Sequence, residues 1–299
     1  MGKFFFTVII LLFTYSILYA QISDSTDLTI QISSLPEAKT SLIQSWSVPF
    51  LAGNNAFTSN NTIKANLRAE LTPIDFHIGA DAILTPIAFL QFGAGARIGS
   101  GWTVNALGKK LRGIGINTAG GVIEVSPFDG LFWRVFAHGT FQFDFAALIP
   151  GDWNHVVLRT SHEINYEAFT GASAGEAWFF QNDHGENQNG FNYYGSFFLG
   201  YQMPLILNTV GFMAENDKYL YNTPNGDKWG DSRNRWIFSF LTNFTVTNNL
   251  NIALIAQLHT QRNYGTTVDD FYRNRIIDTA KPEQLEFYRI ATIISLKLR

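Results

Sequence analysis

The sequence predicts an all-β fold, a transmembrane antiparallel up-and-down β-barrel of 12 or 14 strands. Three observations point there. Apolar and polar residues alternate with period two over most of the chain after residue 20. Charged residues make up 15% of the 299, against about 25% in an ordinary soluble protein, while aromatics also reach 15%. Mean hydropathy is only +0.02, too low for a bundle of apolar helices. The net charge of −3 offers no basic footprint for nucleic acid.

The first element is residues 1–20, which read as a secretory signal peptide. Lys3 precedes the apolar run Phe4 to Leu18, and Ala20 stands before a polar segment. The run falls short of the roughly 20 apolar residues that a spanning helix needs. Cleavage after Ala20 leaves residues 21–299 as the barrel, with 20 bases (21 less Lys3) against 24 acids. Cysteine is absent, which excludes an acylated N-terminal Cys, a disulfide-stapled scaffold and any thiolate site. Stability must come from a large core or a closed sheet.

The strands follow in order. From Thr62 to Thr72, Ile63, Ala65, Leu67, Ala69 and Leu71 share one face, and Lys64, Asn66, Arg68 and Glu70 the other. That length suits a tilted strand crossing a bilayer, about 9–11 residues. Ile74 to Ala82 alternates with Asp75, His77, Gly79 and Asp81. Ala88 to Ile98 alternates with Gln91, Gly93, Gly95 and Arg97. Leu131 to Phe143 opposes Arg134, His138, Thr140, Gln142 and Asp144. Later, Trp236 to Val246 opposes Arg235, Ser239, Asn243 and Thr245, and Leu250 to Leu258 opposes Asn251, Gln257 and His259. The last strand sets Tyr288, Ile290, Ile294, Leu296 and Leu298 against Arg289, Ser295 and Lys297. Such strands exceed the usual length of about 5–6 residues in globular proteins, which disfavours a soluble sandwich.

Connections fall into two kinds. Ser126–Gly130, the turn at Pro204 and Thr247–Asn249 read as tight turns. The stretches 99–121, 182–190, 215–231 and 263–283 read as long polar loops, so short and long connections alternate from Pro127 onward. The strand count turns on two segments. Leu28–Ile32 supplies an extra strand, and Gly171–Phe180 is either strand or loop, giving 14 or 12.

With aromatics at strand ends (Trp46, Phe50, Trp133, Trp178, Tyr201, Trp236, Tyr288), the chain resembles the bacterial outer-membrane β-barrels, porin-like members in particular. The resemblance is one of pattern over the whole mature chain. It implies residence in the outer membrane of a diderm bacterium, contact with outer-membrane lipid, handling by the barrel-assembly machinery and transport of small solutes. The chain departs from the family in ending Leu296-Lys297-Leu298-Arg299, without the terminal aromatic, which separates it from the best-known proteobacterial porins.

In such a barrel the polar face lines the lumen. It carries Lys64, Arg68, Arg97, Arg134, Arg159, Arg235 and Arg289 against Glu70, Asp81, Asp144, Glu163 and Glu167, a basic lean. Charges in a narrow, low-dielectric pore set ion selectivity. The expected function is passive diffusion of small polar or anionic solutes. A structural or surface-adhesive barrel with a plugged lumen is the alternative, and a lumenal hydrolase the third reading. Outer-membrane phospholipases carry a His followed two residues later by Ser. The nearest stretch here, Thr160 to Asn165, has Ile164 at that position, so acyl transfer lacks its nucleophile and the chain reads as a non-enzyme. His162 falls on the apolar face, which suggests a bulge or frame slip. His77, His138, His155, His184 and His259 are isolated, with no zinc motif and no cofactor implied. Gly93–Gly99 lacks the third Gly of a dinucleotide loop, and its glycines instead relieve crowding in a curved wall. The acidic stretches 182–187 and 227–231 lack the ligand spacing of calcium loops.

Overall fold

The computed structural model describes residues 22–35, 37–106, 108–118, 121–181, 186–220, 234–265 and 276–299. The segment read as a signal peptide, His184 and the acidic stretch 227–231 lie outside them, as does most of 182–187. No helix among the described residues is long and apolar enough to cross a membrane.

Twelve antiparallel strands close into one barrel. In chain order they are β1 (Ser23–Ser33), β2 (Glu37–Pro49), β3 (Thr62–Leu71), β4 (Asp75–Ile87) and β5 (Leu90–Gly101). β10 (Phe132–Asp144), β11 (His155–Phe169), β13 (Gly190–Gln202) and β14 (Leu207–Tyr219) continue the wall, and β15 (Arg235–Thr247), β16 (Leu250–Arg262) and β17 (Glu283–Lys297) complete it. Each strand pairs with its neighbour along the chain, and β1 closes on β17 from Asp27↔Lys297 to Ser33↔Ala291. Closure leaves no unpaired edge. The count is 12, not 14. Leu28–Ile32 belongs to β1, while Ala177–Phe180 forms a short strand, β12, outside the wall.

The five remaining strands build the mouth. β6 (Thr103–Ala106) pairs with β7 (Lys109–Arg112), and β8 (Ile114–Thr118) lies between β9 (Gly121–Glu124) and β12. This moves the Ser126–Gly130 turn. The alternation before it belongs to β9, which is too short to span the barrel, so the turn belongs to the long β5–β10 connection at the loop end. The turns 203–206 and 248–249 lie at the opposite end, with the C-terminus.

Period two sorts the wall as expected. Leu67, Phe92, Phe240 and Ile290 are 52–58% exposed on the outside, although large and apolar. Asn66, Glu70, His77, Ser239 and Gln257 are buried on the inside. Two of the aromatics read as strand-end residues break the pattern. Trp178 is not a strand-end aromatic on the outside. It is fully buried in the mouth, packed with Ile114, Phe132, Phe169 and Phe180. Tyr288 turns inward, because β16 and β17 slip register between Gln257 and Leu258 and the bulge places both Tyr288 and Arg289 inside. His162 does face outward, but β11 is regular on both sides and no bulge is involved. Tyr193 Oη at 2.7 Å and Thr160 Oγ1 at 3.0 Å satisfy its ring.

Candidate functional site: the lumen beneath the mouth

The mouth is a docked aromatic core. Phe132, at the start of β10, stacks on Phe180 with ring centroids 4.4 Å apart, and Phe180 meets His77 edge-on at 5.9 Å. Gln181 follows β12 in the left-handed region, φ 59°, a conformation that a residue with a side chain adopts only when its surroundings hold it. Two bonds do so: its N–H donates to Gly113 O at 2.7 Å, and its amide donates to Asp75 Oδ1 at 2.8 Å. Asp75 is completely buried. On the other side, Glu186 accepts from Arg262 at 3.3 Å and from Tyr264 at 2.9 Å, with Arg235 at 3.9 Å. A loop carboxylate between buried guanidiniums ties the mouth to β15 and β16.

Beneath it lies a cavity of ≈ 330 Å³. Every barrel strand except β1 and β16 contributes to its lining, so it spans the barrel's cross-section. Its charges balance: Lys39, Arg97, Arg134 and Arg235 against Glu70, Glu167, Glu215 and Asp217. The basic lean expected from sequence disappears, because β14 turns two further carboxylates inward, Glu215 and Asp217, against the one further base, Lys39, on β2.

Most of these charges have partners. Glu70 takes His77 Nε2 at 2.7 Å, Arg68 at 3.2 Å and Lys39 at 3.7 Å. Arg134 pairs with Glu163, which also accepts from Asn165 at 3.1 Å. Arg235 pairs with Asp217, and Arg289 with Glu37 and Gln257. Arg97 differs. It has no acid within 4 Å and no hydrogen bond among the described residues, and its guanidinium lies 5.8 Å from the centroid of the Phe136 ring. Glu215, four strands away on β14, accepts from Tyr194 Oη and has no base within 4 Å among the described residues.

Solved structures similar to this chain include two porins. The NanC porin, in a rhombohedral crystal form, aligns over 92% of this chain and 99% of its own, with TM-score 0.42 and 7% identity. The KdgM porin, in complex with disordered oligogalacturonate, aligns over 91% and 97%, with TM-score 0.37 and 9% identity. No family model and no curated protein sequence matches the chain.

Of the residues read from sequence as lumenal, Glu70, Arg97, Arg134, Glu167 and Arg235 line the cavity, while Arg68, Glu163 and Arg289 pair at its edge. The others lie lower. Asp81 accepts from Asn66 at 2.6 Å, and Asp144 meets His155 at 2.6 Å. Lys64 and Arg159 have no acid within 4 Å among the described residues, and Arg159 is exposed near the turn end. Sequence reasoning missed Glu37, Lys39, Tyr194, Glu215 and Asp217. Extending the alternation through β2, β13 and β14 finds them. It cannot find Tyr288, Phe180 or Gln181, whose positions depend on a bulge and on loop docking. Ser161 faces inward, 2.8 Å from Thr140 Oγ1, on the opposite face of β11 from His162.

Proposed function

We propose that the chain is a porin-type channel of a bacterial outer membrane, exported through residues 1–20, that passes small polar or anionic solutes by passive diffusion. A closed wall with an apolar exterior suits a lipid environment, since each backbone group finds its partner inside the sheet. The observation that carries the solute side is Arg97. It is a guanidinium with no acid within 4 Å among the described residues, in a polar cavity bounded by nearly the whole ring of strands. The carboxylates that act on it from farther off, Glu70 and Glu163, are held by other bases, Glu70 by His77, Arg68 and Lys39 and Glu163 by Arg134, so a solute anion can approach the guanidinium directly. Glu215 on the far side, hydrogen-bonded to Tyr194 Oη and with no base within 4 Å among the described residues, is a group of opposite sign, so selectivity between small ions is weak.

A plugged surface barrel is the second reading. Trp178, Phe180 and Gln181 cross the mouth and are latched to Asp75. Planar-bilayer recording of the refolded protein in potassium chloride separates the two. The channel reading expects discrete current steps. Correctly folded barrels that insert without current would leave the plugged barrel standing.

A further inference from the structure

Below the cavity the lumen has two unlike walls. On β13 to β17 the inward positions become apolar: Phe198, Met213, Leu241, Ile255 and Ile293. The ladder places them side by side. Phe198 pairs with Met213, Leu241 joins Gly211 to Ile255, and Ala253 faces Ile293. Outward neighbours fix the direction they point, for Phe212, Phe240 and Leu254 are exposed outside. A Cβ on Gly200 or Gly211 would collide with the Phe198 ring, so the ring lies flat on this wall. None of the five reaches the burial of a core side chain. They form a half-buried apolar patch inside the barrel, where polar residues are the rule, and its accessible part is apolar surface that a solute can cover.

The patch begins where the cavity ends. Glu215 and Ile237 line the cavity, Met213 is the next inward residue below Glu215, and Leu241 lies two inward positions below Ile237. Half-way round the ring from β15, β16 and β17 stand β4, β5 and β10, which present Asp81, Arg97 and His138. One wall therefore carries fixed charge, including the cavity's unpaired base, and the facing wall carries hydrocarbon.

We infer that this lumen takes amphipathic organic anions, with the anionic group on Arg97 and an apolar face against the Phe198–Leu241–Ile255 wall. The inference rests on the channel reading and names its solute class. A fully hydroxylated solute must strip water from hydroxyls that find no partner on that wall. A solute with an apolar face loses nothing there and removes apolar surface from water.

The test compares cyclohexanecarboxylate with glucuronate, two monocarboxylates on six-membered rings that differ chiefly in ring hydroxyls. Reversal potentials against chloride, in planar bilayers holding the full mature barrel, give their relative permeabilities. We expect cyclohexanecarboxylate to exceed glucuronate roughly threefold to tenfold. In the double variant Leu241→Thr, Ile255→Thr the ratio falls toward one while chloride conductance stays within about twofold. Equal permeabilities in the wild-type protein, with chloride current present, overturn the solute class and leave the channel standing. A preference undiminished in a folded double variant overturns the assignment to this wall, and Ile293→Thr gives the same reading should the double variant fail to fold. Absence of any chloride current from folded barrels overturns the channel reading and this inference together.

Discussion

The mouth and the barrel body use the same kinds of residue for opposite ends. At the mouth, charge is consumed internally: Glu186 lies between Arg235 and Arg262, and Asp75 accepts from Gln181. Aromatic rings there pack on one another with Trp178 fully buried. In the body, Arg97, Lys64 and Arg159 have no acid within 4 Å among the described residues, and Phe198 lies flat on bare glycines. A charge that is paired and dry holds a structure together, whereas one that is unpaired and wet can meet a solute. Being ionisable and inward-facing does not distinguish the two. The partner does.

The comparison can be broken first at the mouth. Trp178→Ala empties the aromatic core, at a cost of about 3–5 kcal/mol to loop docking. We expect faster proteolysis of the 102–131 connection while the barrel keeps its heat-resistant migration on gels. Wild-type cleavage rates would mean the core does not hold the mouth. Next comes Glu186→Gln, which leaves buried guanidiniums short of an anion and costs about 1–3 kcal/mol. Its signature is increased open-channel current noise with unchanged ion selectivity. Altered selectivity would place Glu186 among the solute contacts. Arg159→Ser, at the exposed turn end, should shift selectivity toward cations by less than any change at Arg97, because solvent screens it. A shift as large as that of Arg97→Ser would put the constriction at the wrong end.

The smallest effect concerns the outer loop strands. Hydrogen bonds from Lys110 and Arg112 hold the exposed Glu124 carboxylate below its usual range. Because that pKa is depressed on folding, the contact is complete above the ordinary carboxylate range and is lost as pH falls through the lowered value. Amide exchange in residues 109–124 should rise in that acid window while the barrel strands stay protected. Flat exchange across it would remove Glu124 as a tie between β7 and β9.

Most of the wall was legible in the sequence because its signal is local. Strands such as Thr62–Leu71 declare their two faces within ten residues or so, and Lys64, Arg68 and Glu70 fall on the inner face by alternation alone. The strand count was not, because β9 and β12 are four residues each and belong to a sheet whose central strand lies some sixty positions from β12. Tyr288 escaped because its inward turn comes from a slip against β16, a property of the pair rather than of either strand. The charge balance escaped for a different reason: inwardness is local, whereas the partner that neutralises Arg134 or Arg289 sits on a neighbouring wall strand. Arg97 looked no different from Arg134 until those partners were placed.

The central claim is that Arg97 is the charge left open to solutes. The direct test is the potassium-to-chloride permeability ratio from reversal potentials in a salt gradient, for the wild-type protein and Arg97→Ser. The account predicts a rise in the ratio of roughly twofold or more, with single-channel conductance and folding preserved. An unchanged ratio in a folded, conducting Arg97→Ser channel would contradict it.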